Sequence, residues 1–183
     1  MPERVHYSSS QRTDHQFQAG DQVRARCNMV NNKIGVQPPK RTQAGTCFYP
    51  PVIAKQSARQ ADLGVDYFAT VTILDRRGSV LDGYLEGTKA VSRFQVACSK
   101  AGSESFVFPF TDLSISHPGT YVIRVDIYEF LPGDYAGAAL VEQLDTRAVC
   151  VSSSQASPES PSSDERSLMR KARDAGISVP RAP

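Results

Sequence analysis

Residues Phe106 to Phe130 read Phe-Val-Phe-Pro-Phe-Thr-Asp-Leu-Ser-Ile-Ser-His-Pro-Gly-Thr-Tyr-Val-Ile-Arg-Val-Asp-Ile-Tyr-Glu-Phe, and the alternation within them decides the fold. Phe106, Phe108 and Phe110 fall on one side, Leu113 and Ile115 repeat the spacing, and Tyr121, Ile123, Val125 and Ile127 resume it. A period of two is the mark of a strand with one buried face. Pro118-Gly119 interrupts the pattern with a turn, since proline presets φ and glycine accepts positive φ. The block therefore predicts two strands and the corner between them.

Working outward, the same period recurs at short intervals. Val23, Ala25, Cys27 and Met29 alternate with Arg24, Arg26 and Asn28, which predicts a half-buried strand over Gln22 to Val30 that projects Arg24 and Arg26 together. Asn31-Asn32 reads as a turn, Ile34 to Val36 as a short strand stopped by Gln37-Pro38-Pro39, and Lys40 to Pro51 as an irregular loop. Val52 to Gln56 and Tyr67 to Asp75 are strands, the second closed by Asp75-Arg76-Arg77-Gly78. In Ala90 to Cys98 the spacing sets Phe94, Val96 and Cys98 inward and Arg93, Gln95 and Ala97 outward. After the turn Leu131 to Asp134 come two weaker strands, Ala139 to Leu144 and Arg147 to Val151. Strands at this density, punctuated by Gly and Pro, predict a mainly β protein built as a sandwich. Gly119-x-Tyr121 at the start of a strand also resembles the tyrosine corner of immunoglobulin-like sandwiches, in which the phenol bonds back to backbone. Asp112, beside that corner, is expected to bond loop backbone, so Asp112, Gly119 and Tyr121 form a structural set.

The C-terminal part changes character. Ser152 to Ser163 is a Ser/Pro-rich linker, and a helix is predicted just beyond it. Ser162-Ser163-Asp164-Glu165 fits a capping box, Leu168, Ala172 and Ala175 make an apolar stripe with Met169 beside it, and Gly176 and Pro180 end the helix. Arg166, Arg170 and Arg173 line a second face, read as solvated or phosphate-facing. The expected organisation is a polar tail over residues 1–22 and one domain over 23–183, with a sandwich over 23–151, a linker over 152–163 and the helix and its tail over 164–183.

The chain of 183 residues carries a net charge of only +2, yet the charge is unevenly placed. Up to Arg59, nine Lys/Arg face three Asp/Glu; from Gln60 onward, twelve face sixteen. A basic half of this kind suits a polyanion as well as a plain solvated surface. No apolar run approaches the ~18 residues of a membrane span, and the polar first residues lack a signal-peptide core. Cys27, Cys47, Cys98 and Cys150 have neither zinc-site nor disulfide-framework spacing, so buried free thiols in a reducing, intracellular setting are expected. His6 and His15 lie in the tail and His117 precedes the turn proline, and no nucleophile elbow or phosphate-cradling glycine loop appears. The expectation is a binding protein without cofactor, metal or small-molecule substrate, not an enzyme.

Three segments in order resemble the velvet domain of fungal developmental regulators. Phe106 to Ser116 followed by Gly119-Thr120-Tyr121-Val122-Ile123-Arg124-Val125-Asp126-Ile127-Tyr128-Glu129 is similar to the family's aromatic-x-Phe-x-Asp-Leu-Ser-Val and Gly-x-Tyr/Phe-x-Leu-Arg-Phe-x-Leu-Tyr/Phe-Glu segments, with one residue inserted before Asp112. Val36 to Arg41, on through Cys47, and Pro50-Pro51-Val52-Ile53 resemble its early proline-rich segments. Ser163 to Val179 resembles its closing helix, best at Asp174-Ala175-Gly176-Ile177. The resemblance spans about Val23 to the C-terminus. It implies an immunoglobulin-like, Rel-like sandwich, pairing with itself or with other velvet proteins, binding to double-stranded DNA, action in the nucleus with shuttling to the cytoplasm, and control of sporulation and secondary metabolism. In one respect the chain departs from the family: only Phe48-Tyr49 separates Cys47 from Pro50, where velvet domains carry a basic loop. The cations left for phosphate contact are Lys40, Arg41 and Lys55, with Lys33, Arg24 and Arg26 farther back. An alternative is a velvet-like interaction module that pairs with other velvet proteins without touching DNA.

Overall fold

The computed structural model describes residues 32–58, 65–97, 104–130 and 137–181. The polar tail, the strand expected over Gln22 to Val30 with Arg24 and Arg26, the turn after Phe130, Cys27 and Cys98 lie outside the described residues. The described chain is mainly β. In order it forms β1 (Lys33–Val36), β2 (Arg41–Gln43), β3 (Val52–Ala58), β4 (Asp66–Leu74), β5 (Leu85–Glu86), β6 (Ala90–Ser92), β7 (Phe94–Val96), β8 (Glu104–Phe110), β9 (Ser114–Ile115), β10 (Gly119–Phe130), β11 (Ala139–Asp145), β12 (Val149–Ser152) and the helix α1 (Ser163–Asp174).

The strands assemble into a first sheet ordered β1-β3-β8-β7, a second ordered β2-β12-β10-β4-β6 with β11 also paired to β10, and a separate short pair β5-β9. Along one edge of β10, β12 pairs residues 119–121 and β11 pairs residues 124–129. The expected alternation is what joins the sheets. Val52, Ala54, Phe108 and Phe110 of the first sheet pack in one cluster with Ala69, Val71, Ile73, Ile123, Val125 and Ile127 of the second. Burying each of the valine, isoleucine and phenylalanine side chains among them contributes roughly 1.5–3 kcal/mol. Pro109 is tolerated inside β8 because β7 pairs β8 only from Ser105 to Val107, so its missing N–H falls beyond that ladder.

The corner forms as anticipated. The Tyr121 hydroxyl donates to the Pro118 carbonyl at 3.0 Å. A Cβ at residue 119 would land on the Tyr121 phenol, which explains the glycine by close approach. Asp112 does bond loop backbone, but across the fold: its Oδ1 accepts the Thr88 N–H at 3.0 Å and its Oδ2 the Thr88 hydroxyl at 2.8 Å.

Four local expectations change. The stretch read as a loop from Lys40 contains β2, held in parallel to β12 with Arg41 opposite Cys150. Ala90 to Val96 is two strands in different sheets, switching at Arg93. Phe94, expected inward, is 42% exposed, and Arg93, expected outward, lays its guanidinium 4.4 Å from the Phe106 ring centre and 5.0 Å from that of Tyr67. The sheet switch causes both: past Arg93 the chain faces the outer side of the first sheet, so the alternation changes its meaning. The third concerns the thiols, since Cys47 and Cys150 are free but exposed.

The helix begins as its sequence dictates. Ser162 caps it, with Glu165 N–H donating to the Ser162 hydroxyl and Ser162 N–H donating to the Glu165 carboxylate, a complete capping box. It ends in a Schellman motif: Gly176 N–H bonds the Arg173 carbonyl, Ile177 N–H bonds the Ala172 carbonyl, and Gly176 takes φ +86°. Leu168, Met169 and Ala172 are buried against Val36, Ile53, Val96 and Val107, the outer face of the first sheet. Ala175, expected in that stripe, is instead the exposed C-cap, the fourth correction. Arg166, Arg170 and Arg173 are exposed. No helix among the described residues is long and apolar enough to cross a membrane.

Candidate functional site

The linker between β12 and α1 is held to the body by charge. Glu159 Oε1 accepts from Arg147 Nη2 at 2.7 Å, and its Oε2 accepts the Lys40 N–H at 2.6 Å. Arg147 continues the clasp, its Nε donating to the Pro38 carbonyl at 2.8 Å and its N–H to Gln37 Oε1 at 2.9 Å. Gln37 N–H in turn donates to Glu165 Oε1 at 3.0 Å. Burial raises the affinity of Glu165 for a proton, but bonds from Gln37 N–H and from the N–H and hydroxyl of Ser162, with the Arg147 charge, outweigh it and hold the carboxyl below its ordinary range.

Between this strap and the edge strand β2 lies a groove of about 360 Å³. Arg41 and Gln43 line one side, Gln155 to Glu159 another, and Arg181 closes it from beyond the helix. Arg41 and Lys40 are both exposed, and Arg41 lines the groove at the start of β2, where it pairs opposite Cys150 of β12. Cys47 and Tyr49 form the floor, next to a cis Tyr49-Pro50 bond.

The short segment before Pro50 is drawn into the core. Phe48 is 1% exposed and its N–H donates to the Leu113 carbonyl at 2.8 Å. Nothing at Phe48-Tyr49 projects as a basic loop would.

The predicted cations separate into pairs. Arg41 lines the groove, and Lys40, next to it in sequence, is exposed. Lys33 and Lys55 lie directly opposite each other across β1 and β3, on the face of the first sheet that also carries α1. Like charges facing across a ladder repel, so this second pair is a place where an anion would bring relief. Arg181 completes the groove and was missed in the sequence. Its only signal there was position, five residues after the glycine that ends the helix, where the returning chain meets β2.

Outside the groove, polar side chains serve the scaffold. Burial, helped by the neighbouring Tyr84, raises the Tyr121 phenol above its ordinary value. The His117 ring lies against that of Tyr84, centres 4.4 Å apart and tilted by 30°, its Nδ1 meets the Ser116 hydroxyl at 2.8 Å, and that hydroxyl also donates to the Tyr84 carbonyl. The second sheet carries an apolar strip on its outer face, where Phe68 and Tyr128 stack at 5.0 Å beside Phe130 and Leu140, 38% and 49% exposed. Among the described residues no group of three or more His, Cys, Asp or Glu is placed to hold a metal ion. No protein-family model matches the chain, and no curated protein matches it.

Proposed function

We propose that this chain is a velvet-type regulator that contacts duplex DNA through phosphates, using Lys40, Arg41 and Arg181 around the groove, and that it acts as a dimer. Three sequence segments in the family's order support the family reading, as do a tyrosine corner and a capped helix at the expected places. The observation that carries the DNA reading is the convergence of Arg41 and Arg181 on one groove with Lys40 exposed beside it. Guanidinium groups suit phosphate oxygens because their planar fork can donate two bonds at once. Such contacts position a protein on DNA without reading sequence. Lys33 and Lys55 would add a second anchoring pair on the other sheet. Within this reading the sandwich is immunoglobulin-like and Rel-like, and the site of action is the nucleus.

Salt dependence tests the contact. Each neutralised phosphate adds a slope of about −0.9 to log K against log salt. Lys40→Ala with Arg41→Ala should therefore flatten the slope by about 2 while leaving the fold intact. An unchanged slope removes the groove from the DNA contact.

A second reading is supported by the apolar strip of Phe68, Tyr128, Phe130 and Leu140: a module that pairs with a velvet-type partner and leaves DNA to it. Aromatic side chains near the centre of a patch are the usual anchors of such interfaces. Gel shifts of the chain alone and with a velvet protein separate the two, because retardation that needs the partner favours the second.

A further inference from the structure

The strap that walls the groove contains two Ser-Pro dipeptides, Ser157-Pro158 and Ser160-Pro161. Residues 155–162 form no helix or strand, so no ladder or helical bond has to break for the backbone to enter the cleft of a protein kinase; the tie that must open is that of Glu159 to Arg147 and Lys40. The two dipeptides differ in one decisive way. Ser157 and Pro158 are both exposed, whereas Pro161 is buried and its carbonyl accepts from Arg166 Nη1 at 2.7 Å. A proline-directed kinase must seat the residue after the serine, and only Pro158 is offered.

We propose that Ser157 is a phosphorylation site whose phosphate folds back onto Arg41 and Arg181 and fills the groove. The donor is ATP and the catalyst a proline-directed protein kinase. The Ser157 Oγ forms the new bond to the γ-phosphorus, the bond from that phosphorus to the β–γ bridging oxygen breaks, ADP leaves, and the hydroxyl proton passes to the kinase's base and then to solvent.

The surroundings favour capture of the new charge. A phosphoserine carries about −1.5 to −2 at neutral pH and three acceptor oxygens. Ser157, Arg41 and Arg181 line the same groove. Glu159, the carboxylate nearest in sequence, has both oxygens engaged, by Arg147 and by the Lys40 N–H. Cys47 and Tyr49 complete the ionisable lining. The consequence for DNA rests on the function proposed above: a phosphate held by Arg41 competes with the DNA phosphate that Arg41 would contact, so modification releases the nucleic acid.

The test begins with the full chain, a proline-directed kinase and ATP. Mass spectrometry is expected to place the phosphate on Ser157 and to find that site empty in Ser157→Ala. Phosphorus NMR then follows the phosphoserine through pH. Free phosphoserine loses its second proton near pH ~6, and the two guanidinium groups that line the same groove, if they hold the phosphate as proposed, should lower that value by about one unit. Arg41→Gln combined with Arg181→Gln should return it to the free value. The phosphorylated chain should bind duplex DNA at least about tenfold more weakly than the unmodified chain, as expected when phosphate contacts are lost. Modification at Ser160 in place of Ser157, or a titration equal to that of a free peptide in the unsubstituted chain, overturns the proposal. The titration reads the groove directly, so it decides the proposal whether or not the unmodified chain binds DNA.

Discussion

Replacing Phe48 by alanine separates two incompatible roles for the segment between Cys47 and Pro50. If the segment is part of the core, the ring fills space that nothing else can occupy. Phe48 is 1% exposed and packs in the cluster that joins the two sheets. Removing a buried phenyl costs its transfer free energy plus the cavity left behind, about 3–5 kcal/mol. Each kcal/mol lowers the melting temperature of a chain this long by about 2–4 °C, so a fall on the order of 10 °C is expected. Urea denaturation should show the midpoint dropping with the slope unchanged, since the surface exposed on unfolding hardly alters. The Phe48 N–H keeps its bond to Leu113, so the loss isolates the ring. A loss under about 1 kcal/mol would place the ring at the surface and refute its assignment to the cluster that joins the sheets.

Tyr121→Phe removes the hydroxyl that donates to Pro118 and should cost about 0.5–1.5 kcal/mol by urea denaturation. Because the folded Tyr121 pKa is raised above 10.0, its contribution is fully present below that pH and is lost as pH rises through the folded value; the phenylalanine variant should flatten that alkaline fall. Glu165 behaves in the opposite sense. Its folded pKa is lowered from 4.5, so its contribution is present above that pH and is lost as pH falls through the folded value, and Glu165→Gln should flatten the acid limb of a stability profile. Ser162→Ala deletes the other half of the capping box and should destabilise the chain by about 1 kcal/mol, seen as a lower urea midpoint.

Where one residue pattern had one physical meaning, the sequence was legible. Tyr121 to Ile127 could alternate only as a strand facing a core, and Ser162 with Glu165 could only open a helix. Reading failed where meaning depended on a distant partner. Arg41 to Gln43 is too short to announce a strand and becomes one because β12 lies beside it. Phe94 kept its spacing but changed sheets, so its period said nothing true about burial. The same limit governed the site. Lys40 and Arg41 were visible as a basic pair, but Arg181 joins them only through the path of a Ser/Pro segment whose anchor, Glu159 to Arg147, is an ion pair between residues that no local pattern connects.

The switch at Arg93 also bears on how the molecule can move. A single residue separates β6 in one sheet from β7 in the other, and its guanidinium stacks on Phe106 of the first sheet and Tyr67 of the second. A joint this short leaves little slack between β6 and β7, so sliding of one sheet over the other would strain it. The strap is tied to this body by Glu159, through Arg147 and the Lys40 N–H. A phosphate placed on Ser157, as proposed, would meet the groove at β2, the edge of a sheet tied to its partner by this joint.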